Sequence, residues 1–259
     1  MADLVCALIL SAFVITMATG YGLLAILPAS SRNRRLDGHG GIMLGRGLME
    51  VAYKLFAPLV SLLYKAHVTP NMVTGFSLVP ALVSAIFIAQ GHFGIGALLA
   101  TGSGFCDMFD GMLARRYGST SDVGELFDAA VDRYVEYLLL AGLAVYFRGS
   151  PAASIICLGA ILGSFMVSYA TAKAEALGIE PPKGAMRRAE RAVYVIFGCG
   201  VAPLWALVAP GWPSWATLSF GEELPVELAM AVVGVVANVS AVRRMLRVAE
   251  LIRAKKLAA

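Results

Sequence analysis

Two pairs of aspartates stand close together in the stretch CDMFDGMLARRYGSTSDVGELFDAAVDR, which runs from Cys106 to Arg133. Asp107 and Asp110 are three residues apart and Asp128 and Asp132 are four apart, spacings that put each pair on one face of a helix. A short turn over 117–121 between two such helices brings the four carboxylates together. Carboxylate oxygens are hard ligands suited to Mg2+, which takes a few of them and completes its shell with phosphate oxygens and water. Mn2+ accepts the same donors, and four carboxylates are enough for two ions. Gly111 and Gly124 remove side chains where a bulky ligand approaches the backbone. Ala114 keeps the face of Asp107 and Asp110 shallow, and Arg115 offers a planar donor for phosphate. The chemistry these residues describe is the handling of a diphosphate on divalent metal at a membrane surface.

The elements that must hold them are membrane helices. Of 259 residues, 59% are hydrophobic and 15% charged, with a mean hydropathy of +0.76, which excludes a soluble enzyme and a disordered chain. A spanning helix needs ~20 mostly apolar residues. Uncharged runs of that order are Leu4 to Leu27, Asn71 to Ala89, Pro151 to Ala172 and Ala192 to Pro210. Three further spans carry charges: Phe93 to Arg115, Val123 to Phe147, and Leu224 to about Val242. Carboxylates at membrane depth are costly unless paired or bound to cations, so the aspartates of the third and fourth spans are functional candidates. Cys6, Cys106, Cys157 and Cys199 lie in apolar segments without metal-like spacing, and describe neither a disulfide framework nor a zinc site.

From Ile42 to Lys65, Leu44, Leu48, Val51, Leu55, Leu59 and Leu62 recur at steps of three and four, while Arg46, Glu50 and Lys54 fall on another face. That is the pattern of a helix lying in the membrane interface. All Lys and Arg residues except Arg133 and Arg148 fall on one side of this topology, which the positive-inside rule makes cytoplasmic, leaving the N-terminus outside. No basic residue leads the first span and a basic cluster follows it, so it reads as a retained helix and not a cleaved signal. The organisation is then an N-terminal transmembrane helix (1–30), a flexible cytoplasmic connection (31–41), an interfacial amphipathic helix (42–67), a catalytic membrane domain (68–247) and a basic cytoplasmic tail (248–259).

The string Asp107-x2-Asp110-Gly111-x2-Ala114-Arg115-x8-Gly124-x3-Asp128-x3-Asp132 resembles the signature of the CDP-alcohol phosphotransferases, or CDP-alcohol phosphatidyltransferases, at all eight fixed positions. Residues 68–74 are similar to the family's entry into its first core helix, with Pro70, Asn71 and Thr74 matching. On residue chemistry alone, Asn71 can cap that helix and Pro70 ends the one before it. The resemblance covers roughly Ile42 to Arg244. It implies an all-α integral membrane protein, a six-helix transmembrane bundle with an interfacial amphipathic helix, to which Leu4 to Leu27 adds one extra N-terminal transmembrane helix. It also implies a CDP-linked lipid or alcohol held through its diphosphate on the metals, attack by an acceptor hydroxyl, and release of CMP. By motif position, Asp107, Asp110 and Asp128 are implied as metal ligands, with Asp132 as general base and further ligand. Asn71, Thr74, Gly111, Ala114, Arg115 and Gly124, with Asp107 and Asp110, are implied to hold the CDP moiety.

The run Ser168 to Glu175, with Gly184, Arg188, Glu190 and Arg191, is similar to the corresponding region of bacterial phosphatidylinositol phosphate synthases. That branch takes CDP-diacylglycerol (CDP-DAG) and inositol phosphate. Basic residues suit a phosphorylated acceptor, and the acceptor site read here is Ser168, Thr171, Lys173, Arg188, Arg191 and Arg244. Thr171 departs from the Lys usual in that branch, and Lys173 stands where it has Arg. Glycerol 3-phosphate, serine and free inositol are the alternative acceptors. An intramembrane prenyltransferase also uses aspartates and Mg2+, but without the Gly-x2-Ala-Arg continuation. An ion-coupled transporter favours repeats and broken helices at the midplane, and no internal repeat is visible. The partners implied are CDP-DAG, a small polar alcohol and membrane lipid, with no nucleic acid, and the resemblance extends to a homodimer.

Overall fold

The computed structural model describes residues 1–26, 46–118, 121–182, 184–208, 221 and 223–257. In chain order the helices are α1 (Ala2–Ile26), α2 (Arg46–Lys65), α3 (Pro70–Phe76), α4 (Leu78–Ala89), α5 (Phe93–Tyr117), α6 (Asp122–Tyr146), α7 (Pro151–Ala176), α8 (Arg188–Val208) and α9 (Leu224–Leu257), with a short 3-10 turn over Phe147–Gly149. Among the described residues there is no strand. The connection over 31–41 and most of the loop before α9 lie outside the described residues, as does the start of the expected interfacial helix at 42–45.

The described residues of each apolar span lie on helices, those of Asn71 to Ala89 on α3 and α4 together. Among the described residues, Pro70–Ala89, Pro151–Ala176, Arg188–Val208 and Leu224–Lys255 are long and apolar enough to cross a membrane. At 1.5 Å per residue, the 25 residues of α5 and of α6 also exceed the ~30 Å of a hydrocarbon core. The chain is a multi-pass membrane protein. Its outward surface agrees: Val79, Leu82 and Ile86 on α4, Ile155, Leu158 and Leu162 on α7, and Leu228, Val232, Val235, Val239 and Val242 on α9 are exposed at helical spacing. Such a continuous apolar surface needs lipid to cover it.

α3 and α4 make one nearly continuous unit through Ser77, which keeps a right-handed helical conformation and whose Oγ donates to the Thr74 carbonyl at 2.6 Å. The cap of α3 is Thr69, which accepts from the Met72 amide at 3.3 Å. Asn71 is therefore not the cap: Pro70 takes the first helical position, where its missing N–H costs nothing, and moves the cap to the residue before it. α3 packs on both α5 and α6, and α4 does likewise, so this unit is the spine between the two aspartate-bearing helices. Gly142 permits the approach of α6 to α4, since a Cβ there would lie 2.7 Å from the Ala85 carbonyl oxygen. The main core, including Ile88, Phe93, Leu140, Leu143, Cys157, Val195, Cys199, Met230 and Val233, joins α4 to α9. The four cysteines are free thiols, three of them buried.

α1 packs on α5, α8 and α2. Its Asp3 Oδ1 accepts from the Ile95 amide at 2.9 Å, tying it to the first turn of α5, and Phe13 meets Phe105 edge-on at 5.4 Å. α2 turns Phe56, Val60 and Tyr64 toward α5 and leaves Leu55, Leu59 and Leu62 exposed.

Candidate active site at the α5–α6 turn

α5 stops where the sequence turns polar. Gly118 adopts a left-handed conformation, φ 63°, and its amide caps the Ala114 carbonyl, the ordinary role of a glycine after a helix. α6 restarts at once, with the Ser121 side chain accepting from the Gly124 amide at 3.1 Å and Asp122 and Glu125 in the first turn, where the helix dipole favours them. The close spacing of stop and start aligns the last turns of α5 with the first turns of α6.

Carboxylate oxygens of Asp107, Asp110 and Asp128 lie within 4.8 Å of one another. Asp110 is buried and accepts a 2.6 Å hydrogen bond from Thr74 Oγ1, so α3 fixes its rotamer. Asp128 Oδ1 is buried with no hydrogen-bond partner. Burying an unpaired carboxylate oxygen is costly, so this orphaned atom and its two carboxylate neighbours suit a divalent cation, whose hard charge such oxygens satisfy. Asp132, one turn beyond Asp128, joins the group through Arg188: Arg188 Nη1 donates to Asp107 Oδ1 at 3.1 Å and contacts Asp132 Oδ2.

The other motif residues surround this cluster. Asn71 is exposed in the first turn of α3, near Gly124, where a Cβ would meet its Oδ1 at 3.5 Å. Ala114 is half-buried on α5. Arg115 folds back over Gly111, so that a Cβ there would lie 3.6 Å from Nη1 and Nη2, and it donates to Tyr53 Oη at 2.6 Å.

On the far side, α8 supplies two arginines. Arg191 is buried and donates to Glu136 through Nε at 2.5 Å and Nη2 at 2.8 Å, to the Met186 carbonyl at 2.6 Å, and weakly to Ser168 Oγ at 3.4 Å. Met186 has φ 61°, a costly conformation for a non-glycine residue that its surroundings must hold. The Arg191 bond to its carbonyl does so. Arg244, also buried, reaches across from α9 to Thr171 Oγ1 at 3.0 Å and to the carbonyls of Gly184 and Ala185 at 3.1 and 3.3 Å. Together Arg191 and Arg244 shape the 184–186 segment, and Arg188 is the member of the set in contact with the aspartates. Lys173 stands apart, exposed on the last turn of α7 beside Tyr169 and Leu177.

Glu136 escaped the reading of the sequence, although it continues the four-residue steps of Asp128 and Asp132. Tyr53 escaped it too, lying outside the motif by more than fifty residues.

The sequence profile of the CDP-alcohol phosphatidyltransferases matches residues 67–222. The chain belongs to the CDP-alcohol phosphatidyltransferase family. Among CDP-alcohol phosphatidyltransferase relatives, the phosphatidylinositol phosphate synthase of Cutibacterium acnes is 31% identical over 197 residues, covering 74% of this chain and 93% of the relative. The archaetidylinositol phosphate synthase of Methanothermobacter thermautotrophicus is 37% identical over 125 residues, 48% of this chain and 62% of that one. The fold is similar to the crystal structure of Mycobacterium tuberculosis phosphatidylinositol phosphate synthase with CDP-DAG bound: TM-score 0.64, 25% identity, 75% of this chain and 94% of the other. The same enzyme in complex with manganese and citrate gives a TM-score of 0.63 at 25% identity, over 74% and 87%. The α5–α6 turn lies inside the matched region, whereas α1 and α2 precede it.

Proposed function

We propose that the protein is a phosphatidylinositol phosphate synthase, transferring the phosphatidyl group of CDP-DAG to a hydroxyl of inositol phosphate and releasing CMP. The observation that carries this reading is Arg188 in contact with both Asp107 and Asp132. It sets an arginine-lined wall against the carboxylate cluster, so a phosphorylated acceptor and a diphosphate donor meet at one point. The relative solved with CDP-DAG supports that donor, and those named phosphatidylinositol phosphate synthases support that acceptor.

In this reading Asp107, Asp110 and Asp128, with Asp132 as a further ligand, hold two Mg2+ ions, for which Mn2+ substitutes. Divalent ions held there would neutralise the charge of the diphosphate and stabilise departing CMP. Asn71, Thr74, Gly111, Ala114, Arg115 and Gly124 line the CDP moiety. Ser168 and Thr171, with Arg188, Arg191 and Arg244, receive and shape the acceptor, and Lys173, which stands apart from them, has no part in it. The acceptor oxygen bonds to the phosphorus of the phosphatidyl group, the bond from that phosphorus to CMP breaks, and Asp132 takes the hydroxyl proton. The site faces the cytoplasm and the N-terminus lies outside, as the distribution of Lys and Arg supports. α2 lies on the membrane with Leu55, Leu59 and Leu62 toward lipid, followed by the catalytic domain and a basic tail. The chain works as a homodimer.

Metal removal tests the first of these roles. CMP release by purified protein is expected to vanish in excess EDTA and to return on adding Mg2+ or Mn2+. Undiminished release in EDTA contradicts the carboxylate assignment.

A further inference from the structure

α2 precedes the family-matched region, yet it reaches a motif residue directly. Tyr53, Phe56, Val60 and Tyr64 follow one another at helical spacing. Phe56 packs on Phe105 and Phe109 of α5 at ring distances of 5.0 and 5.3 Å, Val60 is buried, and Tyr64 meets Tyr117 at 4.6 Å and lies under the Arg116 guanidinium at 4.8 Å. This anchored face delivers Tyr53 to Arg115. The Arg115 guanidinium donates to Tyr53 Oη at 2.6 Å and sits 5.2 Å from its ring centre, with its other side over the bare backbone of Gly111.

We infer that Tyr53 is a positioning residue for the donor site: by holding the Arg115 guanidinium between its own hydroxyl and ring and the Gly111 backbone, it presents that charge ready-made to the diphosphate of a CDP-linked lipid. A free arginine side chain gives up rotamer freedom when it binds an anion. One already held by a hydrogen bond and a cation–π contact gives up less, so the binding affinity is higher. α2 thereby becomes part of the substrate site while its Leu55, Leu59 and Leu62 stripe stays exposed. The inference rests on the reading of Arg115 as a donor-site residue.

The test uses the full-length protein in detergent with Mg2+ and measures CDP-DAG binding directly, together with the KM values of both substrates. Tyr53→Phe keeps the ring and removes the hydroxyl. It is expected to weaken CDP-DAG binding about tenfold, the scale of a hydrogen bond to a charged group, and to raise the KM for CDP-DAG while leaving that for inositol phosphate in place. Tyr53→Leu is expected to lose more, because the ring contact goes as well. In Arg115→Ala protein, adding Tyr53→Phe should cost nothing further, which a merely structural tyrosine would not produce. Unchanged CDP-DAG binding by Tyr53→Phe, or full additivity with Arg115→Ala, overturns the inference while the donor-site reading stands. Equal binding by Arg115→Ala and wild-type protein overturns that reading and the inference with it.

Discussion

Asp132→Asn protein is expected to bind CDP-DAG with near wild-type affinity and to release CMP about 10²–10⁴-fold more slowly, the range lost with a positioned general base. The substitution is nearly isosteric. The amide oxygen of Asn still accepts from Arg188, which in the native protein contacts Asp132 and donates to Asp107 at 3.1 Å, so the approach of α8 to α6 survives. The basic oxygen does not. Asp107, Asp110 and Asp128 keep their mutual geometry, because Asp110 is held from α3 by Thr74. The checking measurement is a pair: CDP-DAG affinity in Mg2+, and single-turnover CMP release with inositol phosphate. Near-normal release refutes Asp132 as the base. Loss of binding and turnover together makes its main role that of a ligand.

Glu136→Ala should have the largest effect on stability. It leaves the Arg191 guanidinium buried with its charge uncompensated, having removed bonds of 2.5 and 2.8 Å in a forked pair. Breaking a buried pair from one side typically costs about 3–5 kcal/mol. The effect is read as a fall in the thermal-unfolding midpoint of detergent-solubilised protein. Glu136→Gln, which keeps an acceptor for Arg191, should lose less. Glu136→Met combined with Arg191→Met removes both charges of the forked pair and should recover part of the midpoint, since Arg133, 3.9 Å from Glu136, loses that carboxylate; it also frees the Met186 carbonyl that Arg191 bonds at 2.6 Å and so lowers turnover with inositol phosphate. An unchanged midpoint in Glu136→Ala contradicts the weight placed on this pair.

Much of the fold was legible because a membrane protein writes its elements as long apolar runs. The described residues of all seven spans lie on helices, and the carboxylate pairs sit toward the end of α5 and the beginning of α6, as their three- and four-residue spacings suggest. What pattern could not show was which residues pair across the bundle. Glu136 and Arg191 are 55 residues apart and meet through the side chains of α6 and α8. The periodicity of either helix says only that each lies on a face. Thr171 shows the same limit: beside a branch that usually carries Lys it looked like the loss of a cation, whereas here it accepts from Arg244 on α9 at 3.0 Å. The helix α2 was recognised by its leucine stripe, but the face that matters to Arg115 carries Tyr53, Phe56 and Tyr64, aromatic residues that amphipathic patterning leaves without a partner. The cap of α3 lies at Thr69, two residues before the Asn71 that residue chemistry offers, because proline takes the first helical position.

The reaction at issue is the transfer of a phosphatidyl group to a phosphorylated inositol. It is tested most directly by supplying the purified protein with CDP-DAG and Mg2+ and measuring CMP release with inositol phosphate, glycerol 3-phosphate, free inositol and serine offered separately. Release is expected with inositol phosphate and little with the other three. Release with free inositol or serine in preference to inositol phosphate would contradict it.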